Sequence, residues 1–567
     1  MPTFDTVIKG GTILDGLRTP RYVGDVAISD GKVARIGRVE ASEAHRVIDA
    51  KDKIVCPGFV DLHTHFDGQI FWDPWCTING WHGVTSVAIG NCGFGFAPVR
   101  AEDRQRAMLT MERNEAVKAT TMAEGMPWDW ETFPEYLDSV DRTPKGVNVL
   151  SYVPLNPLMM HVMGIEEAKS RPANDAERRE MCTLLSEAMD VGGCGFSAQI
   201  LGETTVQRDY DGTPMITDLM AEADLVAFAE VLKEKGRGLI QILGGDMELN
   251  ERLVEISGQP MLWNAVALAT DQHGITFGSY KELLDWGTTA NKRGNRVFLH
   301  AVTAENNYQF QLADWNLFDT EPAWRDITVG SIDEKIANMQ DPAKRKAVKD
   351  LYNPKYTFLG AMTAGIHELK IGEVSCEAND QYIGFTIGEV AEREGKHPVD
   401  VMLDISIADR LETLFITPPQ TMEMSAMDEL ANHPHTLPGL SDGGAHMKFL
   451  TMGRYPTEFL TKLVRDNQIM DLETAHWKLS AYSAMAAGLK DRGFLSEGAP
   501  ADIVVYDYDA LKLKEPERLY DFPAGDWRLA QGAEGYQQTM VNGTVTFEDG
   551  ECTGETPGKL LRHGSAG

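Results

Sequence analysis

Two histidines separated by a single residue, His63 and His65, close the apolar run Pro57-Gly-Phe-Val-Asp-Leu. Residues i and i+2 of a strand share a face, so both imidazoles can meet one ion. Cys92 ends a second apolar run, Ser86-Val-Ala-Ile-Gly-Asn-Cys. A thiolate there suits a borderline divalent metal such as zinc, although a lone cysteine can equally be a nucleophile or inert buried filler. Asp442 sits in Leu440-Ser-Asp-Gly-Gly-Ala-His446. A carboxylate in that place can ligate an ion and take a proton from water, or simply serve the turn before two glycines. His300, ending Val297-Phe-Leu-His, faces the same pocket or is a satisfied core or rim histidine, His446 is a candidate donor beside it, and Arg454 has the planar fork to clamp a substrate carboxylate, although a surface salt bridge is the more ordinary job for an arginine. His161, His273, His433 and His435 read as loop residues.

These side chains need a scaffold that brings distant segments together. Between about residues 54 and 490, short apolar runs alternate with helical stretches. Eight strand candidates lie near 60–65, 85–90, 147–153, 195–200, 238–243, 260–265, 296–302 and 437–442. The stretch 177–190 puts Met181, Leu184, Leu185 and Ala188 on one helical face, and 222–235 does the same with Leu225, Val226, Phe228 and Leu232 before stopping at Gly236. Eight such units predict an α/β fold, a (β/α)8 TIM-like barrel, whose active sites lie at the C-terminal ends of the strands. The gap at about 303–436 is too long for a connection and predicts an insertion with its own helices, able to cover the barrel mouth. Both chain ends read as short strands with turns at Asp30-Gly31, Asn542-Gly543 and Asp549-Gly550. The tail after Cys552, carrying Gly, Pro and Ser, is expected to be loose.

The 567 residues carry 85 acidic against 53 basic side chains, a net charge of −32 that repels phosphate backbones and argues against nucleic acid as a partner. No signal peptide and no apolar run of spanning length is visible, and seven scattered cysteines make no disulfide framework. The expectation is a cytoplasmic protein acting on a small molecule, with no membrane partner and a homo-oligomer left open. Phosphate-loop and nucleophile-elbow motifs are missing from the sequence.

Taken together, Pro57-Gly-Phe-Val-Asp-Leu-His-Thr-His, Gly90-Asn-Cys-Gly-Phe-Gly-Phe-Ala-Pro, Leu440-Ser-Asp-Gly-Gly-Ala-His and Gly498-Ala-Pro-Ala-Asp-Ile-Val-Val-Tyr-Asp resemble the amidohydrolase superfamily, in its N-acyl-D-amino-acid deacylase branch. The resemblance covers nearly the whole chain. It implies a metal-carrying barrel (57–490) and a small β-sandwich domain built from both termini (1–56 and 491–567). It also implies hydrolysis of the amide C–N bond of an N-acyl amino acid by activated water. His63, His65, Cys92 and Asp442 match the branch's metal ligands, and Asp442 its general base; the ion would be zinc, with manganese or iron also accepted, one or two in number. The branch carries histidines at the ends of strands five and six, where this chain has Gln241 and Asn264, which points to one ion rather than two. Cyclic amide or lactone hydrolysis, and a degenerate barrel that binds without turnover, are the competing readings.

Overall fold

The computed structural model describes residues 3–564 except 204, 206, 271–275, 278–279, 306–307, 315–317, 319–320, 354–364, 419 and 450–451. His273 lies outside the described residues.

The middle of the chain supplies eight parallel strand segments: Phe59–Asp61, Val84–Ile89, Asn148–Ser151 with Val153–Pro154, Gly195–Ile200, Leu239–Gly244, Met261–Val266, Val297–Val302 and Thr436–Gly439. Their residues are almost all buried, the continuous apolar pattern of a parallel sheet covered on both faces. The first three pair in order, and the third to the eighth pair in order. A parallel bridge between Thr64 and Gly443 then joins the chain just after the first strand to the chain just after the eighth.

Helices fill the connections for local reasons. Helix Asp175–Asp190 opens on a reciprocal cap, in which Asn174 accepts from the Glu177 backbone and Glu177 accepts from that of Asn174. Helix Glu222–Lys235 stops at Gly236, whose φ of 62° favours a residue without a Cβ. His161 lies in helix Leu155–Met163 rather than in the expected loop, because Pro157 falls in the first turn, where no helical N–H is lost.

The segment between Val302 and Thr436 forms helices and a small three-stranded sheet of its own. Its apolar core, including Phe310, Phe318, Trp324 and Phe415, continues onto Leu440, Phe449 and Met452, so it packs on the chain that follows the eighth strand.

Both chain ends meet in one nine-stranded sheet, joined where Ile54–Pro57 runs antiparallel to Ile503–Tyr506. The turns at Asp30-Gly31, Asn542-Gly543 and Asp549-Gly550 all have two residues at positive φ, the mirror-image turn that matches strand twist.

The described part of the tail is not loose. Pro557 and Leu560 bridge to Lys145 and Val149, the Leu561 N–H donates to the Val149 carbonyl at 2.6 Å, and Arg562 pairs with Asp138 and Asp141. Its glycine content serves close approach: a Cβ on Gly558 would lie 2.1 Å from the Val147 carbonyl oxygen. Gly558→Val is expected to cost about 1–3 kcal/mol through overpacking, read as a lowered thermal midpoint. Among the described residues no helix is long and apolar enough to cross a membrane.

Candidate metal centre

The site grows from the ends of the first, second, seventh and eighth strands. Just past the first strand, the His65 N–H donates to the Gly443 carbonyl at 2.7 Å and Thr64 Oγ1 donates to the Ala88 carbonyl at 2.7 Å. With Thr64 facing the second strand, His63 and His65 project together, their ring centroids 5.4 Å apart. Asp61 beneath them is fully buried. It accepts from the His63 N–H at 3.1 Å and from Asn79 at 2.6 Å, while burial pushes its carboxyl up to about 6.

Cys92 stands in a loop held from three sides. Asn91 donates to the Thr64 and Ala88 carbonyls, Gly93 N–H donates to Ser197, and Cys92 N–H donates to Gln241 Oε1 at 2.6 Å. The loop needs Gly90, whose φ is 80° and whose Cβ would meet the Tyr152 carbonyl at 2.6 Å. Cys92 itself is left-handed, at φ 56°, and its Sγ lies 3.4 Å from His63 Nε2. Burial, followed by the charges of Asp442, Glu115 and Asp67, pushes the thiol well up in the metal-free protein.

Asp442 reaches the same point from the eighth strand, also at positive φ (46°). Its Oδ1 is 3.2 Å from His63 Nε2 and 3.7 Å from His65 Nε2, and its Oδ2 is 3.9 Å from His446 Nε2. Its side chain keeps 15% of its surface exposed against 2% for His63 and 3% for His65, so Asp442 is the more open member. Burial alone would raise its carboxyl, but the His63 hydrogen bond and the surrounding imidazoles overcome this and hold it at about 2. Burial, reinforced by His63, pulls His65 and His300 down to about 3, which keeps both neutral.

Donor atoms of His63, His65 and Cys92 lie within 4.8 Å of one another, and all three residues are buried. Among the described residues, Nδ1 of both His63 and His65 has no hydrogen-bond partner. Sulfur, imidazole and a nearby carboxylate are the donor set of a zinc-type site, so the residues fit such an ion.

The remaining candidates divide. His300 faces His63 with ring centroids 6.1 Å apart, and its Nδ1 is 3.0 Å from Asn264 Oδ1. His446 adjoins Asp442. Arg454 is drawn into other contacts: Nε donates to Glu458 at 2.9 Å and Nη2 to the Glu305 carbonyl at 2.6 Å, tying the chain after the seventh strand to helix Tyr455–Glu458. Gln241 and Asn264, at strands five and six, hold Cys92 and His300 in place through hydrogen bonds.

One neighbour escaped the sequence reading. Glu115, the last residue of helix Arg104–Glu115, is fully buried and places Oε1 3.9 Å from His65 Nδ1 and Oε2 3.6 Å from His446 Nδ1. In sequence it is one acidic residue in a charged helix, and only tertiary structure carries it to the site.

Comparison with known proteins agrees with this architecture. The chain is 24% identical to the D-aminoacylase of Alcaligenes xylosoxydans xylosoxydans, over 99% of this chain and 98% of that protein. A D-aminoacylase structure, described in terms of its binuclear metal center, superposes with a TM-score of 0.68 at 22% identity, covering 99% of this chain and 100% of the other. N-acyl-D-glutamate deacylase from Bordetella bronchiseptica, solved with zinc and a phosphonate inhibitor, gives 0.66 at 21% identity with the same coverage. The amidohydrolase family model matches residues 46–187 and 158–547, and the chain therefore belongs to the amidohydrolase family, its similarity lying with the D-aminoacylase-like branch.

Proposed function

We propose that this protein hydrolyses the amide C–N bond of an N-acyl amino acid. His63, His65, Cys92 and Asp442 would hold a divalent cation of the zinc type at the mouth of a (β/α)8 barrel. The barrel would span residues 57–490 with its insertion at about 303–436. Residues 1–56 and 491–567 would form the accompanying β-sandwich domain, and the protein would work in the cytoplasm. The observation that carries the reading is the convergence of two imidazoles, a thiol and a carboxylate from three separate strand ends. Deacylase relatives matching along the full chain support the substrate class.

A bound divalent cation supplies Lewis acidity, which makes water acidic near neutral pH and polarises a carbonyl. The chain does the rest. Asp442, ionised and the more open of the group, accepts the proton of the attacking water and returns it to the leaving nitrogen. His446, beside Asp442 Oδ2, is placed to donate to the developing oxyanion, and His300 faces His63. The insertion, packed on Leu440 and Phe449, excludes water.

Metal analysis of purified protein, with hydrolysis of a panel of N-acyl D- and L-amino acids before and after chelation, tests this. The expected result is close to one equivalent of metal and chelator-sensitive amide cleavage restored by zinc. A metal-free protein inactive on every member of the panel would sink the proposal.

A further inference from the structure

The position of Glu115 is unfavourable in three independent ways. It is an acid at the C-terminal end of its helix, where the backbone dipole already presents negative charge. It is fully buried, and among the described residues neither carboxyl oxygen has a hydrogen-bond partner. Asp442 and Asp67 add repulsion to the effect of burial, and together they push the carboxyl well above the usual range. The backbone still holds it there firmly: the His446 N–H donates to the Glu115 carbonyl at 2.7 Å, and the next residue, Ala116, turns left-handed at φ 56°. Such a placement keeps the carboxyl neutral unless positive charge lies nearby.

The two carboxyl oxygens face two imidazoles, Oε1 towards His65 Nδ1 and Oε2 towards His446 Nδ1. His65 presents its other nitrogen, Nε2, to Asp442. We propose that Glu115 is a positioning residue, the outer carboxylate that accepts the Nδ1–H of His65 and so fixes the tautomer and aim of this ligand. A metal-binding histidine regularly gives its second N–H to such a partner, and among the described residues His65 Nδ1 has no other. At 3.9 Å the two atoms face each other without a made hydrogen bond, and the proposal is that the zinc-loaded protein makes it. This rests on the metal-site reading above.

The test is Glu115→Gln, which keeps shape and burial, in the full-length protein. Zinc affinity is measured by competition with a chromophoric chelator, and the absorption bands of the cobalt-substituted protein are recorded alongside. The expected result is zinc binding weakened about 10–100-fold, altered cobalt bands, and an unchanged or raised melting temperature of the metal-free protein. Glu115→Asp is expected to recover part of the affinity. Unchanged affinity and bands in Glu115→Gln, or a lower melting temperature of the metal-free variant with affinity intact, would overturn the positioning role while leaving the metal site standing. A wild-type protein that binds no zinc in the same titration would overturn both.

Discussion

Asp442→Asn is expected to lower kcat by about 10²–10⁴-fold, the range lost when a positioned general base is removed, with little change in melting temperature. The amide is the same size but cannot take a proton from water at neutral pH. Asp442 contributes little that the fold needs, since its partners are the imidazoles of His63, His65 and His446 rather than structural backbone groups. It also touches the proposed ion, so kcat must be measured at saturating zinc with bound metal quantified in the same sample. Turnover within tenfold of wild type, at equal metal content, would remove Asp442 as the base.

The largest effect on stability is expected from Arg528→Met. The Arg528 guanidinium, 2% exposed, donates to Asp73 Oδ2 at 2.7 Å and also pairs with Asp521. Asp73 is itself buried and anchors the loop after the first strand through Gln69 and Thr77. Burial raises the Asp73 carboxyl, but Arg528 and the hydrogen bonds more than reverse this, leaving it below its usual value. Breaking a buried pair by deleting one partner costs about 3–5 kcal/mol, because the remaining charge is stranded. The sign with pH follows from the lowered carboxyl: its stabilisation is fully present above the ordinary aspartate range and disappears as pH falls through the folded value. Denaturant unfolding should therefore show the full gap between wild type and variant at pH 7 and a shrinking one below about pH 4. A gap under about 1 kcal/mol at pH 7 would show that the pair is no better than an exposed one.

The strand framework was readable because parallel strands covered on both faces leave continuous apolar runs. Gly195–Ile200 and Val297–Val302 stand within a residue of where those runs place them. His63 and His65 were readable as a pair because an extended chain turns alternate residues to one side. Gln241 and Asn264 could be seen to replace histidines, but their hydrogen bonds to Cys92 and His300 depend on neighbouring strands and leave no local signal. Glu115 was invisible for the same reason. Arg454, whose planar fork makes it a candidate clamp for a substrate carboxylate, pairs with Glu458 one helical turn away, the ordinary ion pair of an arginine, and residue type alone does not separate the two roles. The tail failed differently. Glycine and proline there read as signs of mobility, whereas Gly558 is small so that the chain can slide past Val147.

The sheet built from both termini also constrains how the molecule is made. Cys56 and Val504 are neighbours across its central strand pair yet stand 448 residues apart. At ribosomal speeds of about 5–20 residues per second, the early strands wait roughly 20–90 s for the partner that covers their open edge. Nascent chains stalled before that partner emerges should carry an unpaired apolar edge and depend on chaperones to stay unaggregated.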